Sequence, residues 1–263
     1  NLNRKHVVRV KLGDELLKRL SEAMNLYRPI VLVTSHITHA SCEVLPVKDI
    51  AELARRKKIF YFVVAAQSVG QIPVDVNEIR PDALVGCGHK WLRGETVVGF
   101  YYFSPKTGLR PNTAPLAYDL PPEVMKLRGL DKIKDALIDY DSVGNADHIA
   151  HLGLALEEHE KLGWQNEFER IRYLGGIAVE VLSQNPYVEL ISRMTAAPGM
   201  IPLRVKSIDT KDVKNLLLGM YRIRVTHKEN EDLIRVVVSP FNLQYEIYAL
   251  NSALMRIGQN LLR

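Results

Sequence analysis

Apolar and polar positions switch between two periods along the first hundred residues. Val7-Val8-Arg9-Val10 reads as a short strand. Leu16, Leu17, Leu20 and Met24 then recur at helical spacing and mark one buried face. Ile30 to Val33 predicts a second strand, ending at Thr34-Ser35-His36. Pro46 is suited to open a helix, where its missing N–H costs nothing, and Val47, Ile50, Ala51 and Ala54 line that helix's buried side. Phe60 to Ala66 is apolar throughout, as strands covered on both faces are. Ala83 to Cys87 predicts a fourth strand. Val97 to Phe103 follows so closely that an antiparallel return is expected. Such alternation argues for an α/β sheet with helices on both faces.

The texture changes at 104–145, where Pro105, Pro111, Pro115, Pro121 and Pro122 predict a long connection with little regular structure. Two helices follow. The first carries Ile149, Leu152 and Leu156 on one face, and the second runs from about Asn166 to Leu182. Strands are predicted at Tyr187–Ile191, Met200–Val205, Ile223–Thr226 and Leu233–Ser239, with a helix at Asp212–Met220 among them. Ile247, Leu250, Leu254, Ile257 and Leu261 form one stripe of a final helix. The expected division is a large domain over 1–140 and a small α+β domain over 141–263. No internal repeat or low-complexity stretch interrupts it.

Composition narrows the class. The 263 residues are 47% hydrophobic and 25% charged, which excludes a disordered tail, a collagen-like rod and a disulfide miniprotein. The longest apolar runs are too short to span a bilayer, so no membrane partner is expected. The net charge of +5 is mild. Its densest run, Arg55-Arg56-Lys57-Lys58, suits a helix C-terminus, so a nucleic-acid-binding role is set aside. Cys42 and Cys87 are the only cysteines and fit no zinc spacing. With no signal-peptide pattern, a cytoplasmic setting is the default. The first residue is Asn1 rather than Met, so the chain is read as processed or as a fragment.

Ligands of open α/β sheets bind at strand ends, and three strand ends here are polar. They read Ser35-His36-Ile37-Thr38-His39, then Ala65-Ala66-Gln67-Ser68-Val69-Gly70-Gln71-Ile72-Pro73-Val74-Asp75, then Gly86-Cys87-Gly88-His89-Lys90-Trp91-Leu92. In this order, with the intervening L-P-V-x-x-I-A-x-L-A, the chain resembles class V aminotransferases. These are fold-type I pyridoxal-phosphate enzymes that include cysteine desulfurases, kynureninase and isopenicillin-N-epimerase-like proteins. The likeness is dense over residues 30–103 and looser beyond.

The resemblance implies a mostly parallel sheet with flanking helices, a small C-terminal domain, pyridoxal 5'-phosphate as cofactor and a homodimer. It makes Lys90 the catalytic lysine, whose amine forms a Schiff base with the cofactor aldehyde. That amine must be neutral to attack, so a covered, cationic setting is expected. The same resemblance places His89 against the cofactor phosphate or ring, and Cys87 where relatives have a phosphate-binding Ser. Gln67 matches the glutamine on the phenolic oxygen, and His39 the Asn with a similar task. For His36 and His39, ordinary polar satisfaction at a strand end remains an equal reading.

Several positions depart from the family. Val64 stands where an Asp pairs with the pyridine nitrogen, and Gly144-Asn145 where a Gly-Thr reaches a partner's phosphate. Val237 occupies the place of the substrate-binding Arg, with Arg235 two residues earlier as its substitute. No Cys follows Cys87, which argues against sulfur transfer from cysteine. Two further sheet strands and the phosphate loop, which precede the strand at 7–10 in relatives, are expected to be lost, carried elsewhere or replaced.

Two readings therefore stand. One is an enzyme acting on a small amino acid or related amine by aminotransferase, epimerase or lyase chemistry. The other is a catalytically inactive or split member kept for assembly. Outside this motif set, His148 and His151 have helical i,i+3 spacing. With no third ligand near in sequence, they read as a solvated helix face and no metal is expected. Trp164 is expected to pack between helices. Ser35 and His36 are no catalytic pair, because adjacent strand residues point to opposite faces.

Overall fold

The computed structural model describes residues 7–96, 98–108, 146–191 and 196–261. The first half builds one sheet. Helix α1 (Leu16–Tyr27) leads to β1 (Val31–Ser35), α2 (Val47–Arg56), β2 (Phe60–Val64), a single turn α3 (Val76–Ile79), β3 (Ala83–Cys87) and β4 (Gly99–Phe103). The sheet order is β1-β2-β3-β4. Strands β1, β2 and β3 are parallel, and β4 returns antiparallel to β3 as its short connection predicts. The C-terminal ends of β1, β2 and β3 therefore share one rim of the sheet.

Leu16, Leu20 and Met24 of α1 and Val47, Ile50, Ala51 and Ala54 of α2 pack with Tyr61, Val63 and Leu84 in one core. Each large apolar side chain buried there contributes about 1.5–3 kcal/mol. Arg55 and Arg56 do fall in the last turn of α2. The other sheet face differs from expectation. Among the described residues helices cover one face, and Val31, Val33 and Tyr101 are 48%, 57% and 39% exposed on the opposite one.

Val7–Val10 is not a strand. A strand needs a ladder partner for its N–H and C=O groups, and among the described residues nothing pairs beyond β1. Val10 and Leu12 instead pack against the α1–α2 core, and Val7 and Val8 stay about half exposed. The apolar run at Phe60–Ala66 ends as a strand at Val64, because Ser68 and Val69 N–H groups both turn back onto the Ala65 carbonyl.

The second half contains α4 (Ala146–Leu162), α5 (Trp164–Ser183), β5 (Val188–Leu190), β6 (Met200–Val205), α6 (Thr210–Tyr221), β7 (Thr226–Lys228), β8 (Leu233–Val237) and α7 (Gln244–Leu261). Its antiparallel sheet runs β5-β6-β8-β7. Leu174, Ala178 and Leu182 of α5, Val213 and Leu217 of α6, and Ile247, Leu250 and Leu254 of α7 cover that sheet in a second core. Strand β7 starts three residues later than predicted. Arg222 closes α6 in the left-handed conformation, and Ile223 N–H bonds back to Leu217, which holds 222–223 out of the sheet.

The buried side of α4 also shifts. Ile149 is 44% exposed, while Leu152, Ala155 and His159 face inward. The proline-rich stretch from residue 109 on, the boundary at 140 and Gly144-Asn145 lie outside the described residues. No described helix is long and apolar enough to cross a membrane.

Candidate functional site

Three loops meet at the shared rim, one after each parallel strand. The turn after β3 carries His89 and Lys90. It closes on itself through Gly94 N–H to the Gly88 carbonyl (2.8 Å) and Arg93 N–H to the Lys90 carbonyl (3.1 Å), with Arg93 at φ +61°. His89 and Lys90 are both exposed on it. The covered setting expected for Lys90 is thus not found among the described residues. The turn holds the lysine outward while the residues after it bury.

That burial anchors the turn on three sides. Trp91 is 8% exposed and lies on the backbone of Gly70 in the loop after β2. A Cβ at Gly70 would sit 2.8 Å from the Trp91 carbonyl carbon, and φ there is +88°, so only glycine fits. Trp91 Nε1 donates to Gln67 Oε1 at 3.3 Å. This fixes the amide of Gln67, itself 8% exposed, with its oxygen already engaged. Gln71, fully buried, donates to the Gln67 carbonyl (2.7 Å) and accepts from Gly199 N–H (3.1 Å), tying the loop after β2 to the turn before β6.

Arg93 supplies the third anchor. Its guanidinium donates to both carboxylate oxygens of Glu167 on α5, at 2.5 and 3.1 Å, and lies over the Phe241 ring at 4.7 Å. His159 is fully buried beside this pair, with Nδ1 3.0 Å from Glu167. It is stacked on Trp164 at 4.2 Å, so Trp164 does pack between α4 and α5. Burial, helped by the Arg93 charge, holds the His159 pKa below its ordinary value and favours the neutral ring. On the outer side, Leu152 of α4 packs against Gly88 and Gly94.

Cys87 is half-buried at the end of β3, and its thiol donates to the Ala66 carbonyl at 3.6 Å. That donation is directed at the backbone. Val64 ends β2 between Ser35 of β1 and Val85 of β3. His39 is exposed in the loop after β1, and its carbonyl accepts from Arg235 Nη1 at 2.5 Å. The guanidinium of Arg235 therefore reaches from β8 to the rim, although the two residues are far apart in sequence. Its Nε is buried without a hydrogen-bond partner. Beneath it, burial pushes the Cys42 thiol up to about 12, with Arg235 acting the other way. Next to the rim, His36 is buried, and desolvation holds its pKa down to about 4.

The structure thus brings Lys90, His89, Gln67 and Cys87 to one rim, and His39 with Arg235 to its β1 corner. Val237, 45% exposed at the end of β8, offers no charge. The anchors Arg93, Glu167, Gln71 and His159 were not legible in the sequence. Their only signal is polar residues placed in otherwise apolar helical or loop positions.

His148 and His151 are not simply a solvated face. Both ring Nδ1 atoms approach Glu95, at 3.5 and 3.0 Å. Sequence spacing could not reveal this third group.

The chain resembles known proteins along nearly all its length. It is 29% identical over 261 residues to an isopenicillin N epimerase of Amycolatopsis lactamdurans, covering 94% of this chain and 64% of that protein. Among solved structures, an alanine–glyoxylate aminotransferase from a Nostoc species superposes with a TM-score of 0.75 at 20% identity. That match covers 92% of this chain and 65% of the other. A cysteine desulfurase from Thermococcus onnurineus gives a TM-score of 0.73 at 18% identity, covering 93% and 63%. The chain spans just under two thirds of the length of these relatives, and the structural likenesses speak to the fold. The aminotransferase class-V profile matches residues 6–227. With most of the chain inside that match, the chain belongs to the class-V aminotransferase family.

Proposed function

We propose that this chain acts as a pyridoxal-phosphate-dependent enzyme on a small amino acid or related amine, with Lys90 as its Schiff-base lysine. The observation that carries the reading is Lys90 held outward on a turn anchored by Trp91, Arg93 and Gly94, beside Gln67. The donor set fits the carbonyl and phenolic side of a pyridoxal ring. Lys90 offers an amine, and Gln67, with its oxygen held by Trp91, has its amide N–H left to donate. Towards a ring nitrogen, Val64 offers only methyl groups, so this position supplies no carboxylate. Cys87 gives its proton to Ala66 and adds little to phosphate binding.

When bound, the cofactor supplies a carbonyl that condenses with amines and a conjugated ring that draws electrons from the substrate's α-carbon. The chain's residues do the remaining work. Lys90 Nζ takes a proton from the α-carbon and returns it. Gln67 orients the ring through the phenolic oxygen, and His89 stands beside Lys90 to contact ring or phosphate. Arg235, positioned by the His39 carbonyl, offers its remaining N–H groups to a substrate carboxylate. The working unit is a homodimer in the cytoplasm, with the domain division near residue 140.

Adding pyridoxal phosphate to the purified chain tests this. A visible absorbance band should appear, borohydride should fix a pyridoxyl mass on Lys90, and Lys90→Ala should abolish both. No band at millimolar cofactor would sink the reading. Val64→Asp should tighten cofactor binding, and unchanged affinity would place residue 64 away from the ring nitrogen.

A further inference from the structure

We propose that Glu95, His148 and His151 form a binding site for one divalent transition-metal ion, which staples the lysine-bearing turn to α4. The i,i+3 spacing sets both imidazoles on one side of the first turns of α4. Glu95, on the segment between Lys90 and β4, meets them from the other polypeptide segment. One ligand atom from each residue lies within 4.8 Å of the other two.

Each ring already stands near the separation from the carboxylate that an ion needs. Zinc-type ions bind imidazole nitrogen and carboxylate oxygen at about 2.0–2.2 Å in a tetrahedron, which places neighbouring ligand atoms roughly 3.3–3.5 Å apart. Here the two oxygens of one carboxylate each face a different ring, with Nδ1 of His148 at 3.5 Å and Nδ1 of His151 at 3.0 Å. Nδ1 of His148 is enclosed and makes no hydrogen bond of normal geometry. A bound ion would satisfy it.

The cluster is also assembled by contacts that need no ion. Gly88 and Gly94 pack on Leu152, one helical turn from His148, and Arg93 is clamped by Glu167. Little ordering entropy remains to be lost on binding. Two imidazoles and a carboxylate suit Zn²⁺, Co²⁺ or Ni²⁺ and not the oxygen-seeking Mg²⁺ or Ca²⁺. The side chains of His151 and Glu95 are 54% and 42% exposed, so an ion has an entry path and a coordination position open to water. The bound ion would join the turn that carries Lys90 to the first helix of the C-terminal half.

The test uses the untagged full chain, stripped with chelator and titrated with Co²⁺ while visible d–d absorption is followed, then with Zn²⁺ in competition. One ion per chain should bind, Zn²⁺ should displace Co²⁺, and Mg²⁺ should not. His148→Ala, His151→Ala and Glu95→Gln should each weaken Co²⁺ binding at least about tenfold. Metal should raise the urea midpoint of the wild type and leave that of His151→Ala unmoved. His151 is exposed enough that its substitution should preserve the metal-free midpoint and circular dichroism, so lost binding there is not lost folding. Absence of saturable binding by about 1 mM metal, or affinity in His151→Ala within about twofold of the wild type, would overturn the site.

Discussion

The clamp between Arg93 and Glu167 decides how firmly the lysine-bearing turn is held, and Glu167→Gln measures it. The pair is bidentate at 2.5 and 3.1 Å, with side-chain exposures of 21% for Arg93 and 5% for Glu167. Removing one partner of a fully buried ion pair costs about 3–5 kcal/mol, because the remaining charge is left uncompensated. Arg93 keeps some access to water, and glutamine preserves the shape and one acceptor oxygen. The expected loss is therefore smaller, about 2 kcal/mol, or about 5 °C in melting temperature for a chain of this size. Urea unfolding followed by tryptophan fluorescence suits the measurement. The chain has only two tryptophans: Trp91 is two residues from Arg93, and Trp164 stacks on His159 beside Glu167. Arg93→Ala combined with Glu167→Gln should cost less than the sum of the two single changes. A loss below about 0.5 kcal/mol for Glu167→Gln, or strict additivity in the double variant, would refute the clamp.

Two adjacent glycines of α5 should respond with opposite signs. A Cβ at Gly175 would meet the Pro198 carbonyl oxygen at 1.8 Å, whereas nothing lies within 4 Å of one at Gly176. Gly176→Ala should stabilise by about 0.5–1 kcal/mol through helix propensity, and Gly175→Ala should destabilise by about 2 kcal/mol despite the same propensity gain. Shifts of the same sign in urea denaturation would contradict the α5 packing. Acid should also weaken the fold. His36 titrates near 4 in the folded chain against about 6.5 unfolded, and His159 is lowered as well, both chiefly by burial. Stability is then full above about pH 6.5 and falls as the unfolded state takes up protons that the folded rings refuse, with His36 alone accounting for up to about 3 kcal/mol by pH 4. His36→Leu should flatten that fall, and an unchanged pH profile would remove His36 as its source.

Much of the architecture was legible because periodicity reports burial. The stripes of α1, α2 and α7 and the apolar runs of β2, β3 and β6 each carry their own signal of which side faces a core. The antiparallel return of β4 followed from the shortness of its connection. Where neighbours decide, sequence reading failed. Val7–Val10 has strand composition but no ladder partner among the described residues, so it packs as irregular chain. Ile223 has strand composition too, yet the closing turn of α6 captures it.

For the candidate site the division is similar. Lys90, His89, Gln67 and Cys87 lie close in sequence to the ends of adjacent parallel strands, so their motifs alone placed them on one rim. Chain connectivity dictates that much. What holds the rim is contact between groups 24 to 196 residues apart: Trp91 with Gln67, Arg93 with Glu167, Glu95 with His151, and Arg235 with the His39 carbonyl. Hydrogen bonds and ion pairs act over about 3 Å and leave no periodic trace. The sequence therefore determined which polar residues reach the rim and on which strands they ride. Only the tertiary structure decided that Lys90 points outward, that a buried carboxylate grips its turn, and that Glu95 completes a pair of histidines. Each of those depends on how the second half packs against the first.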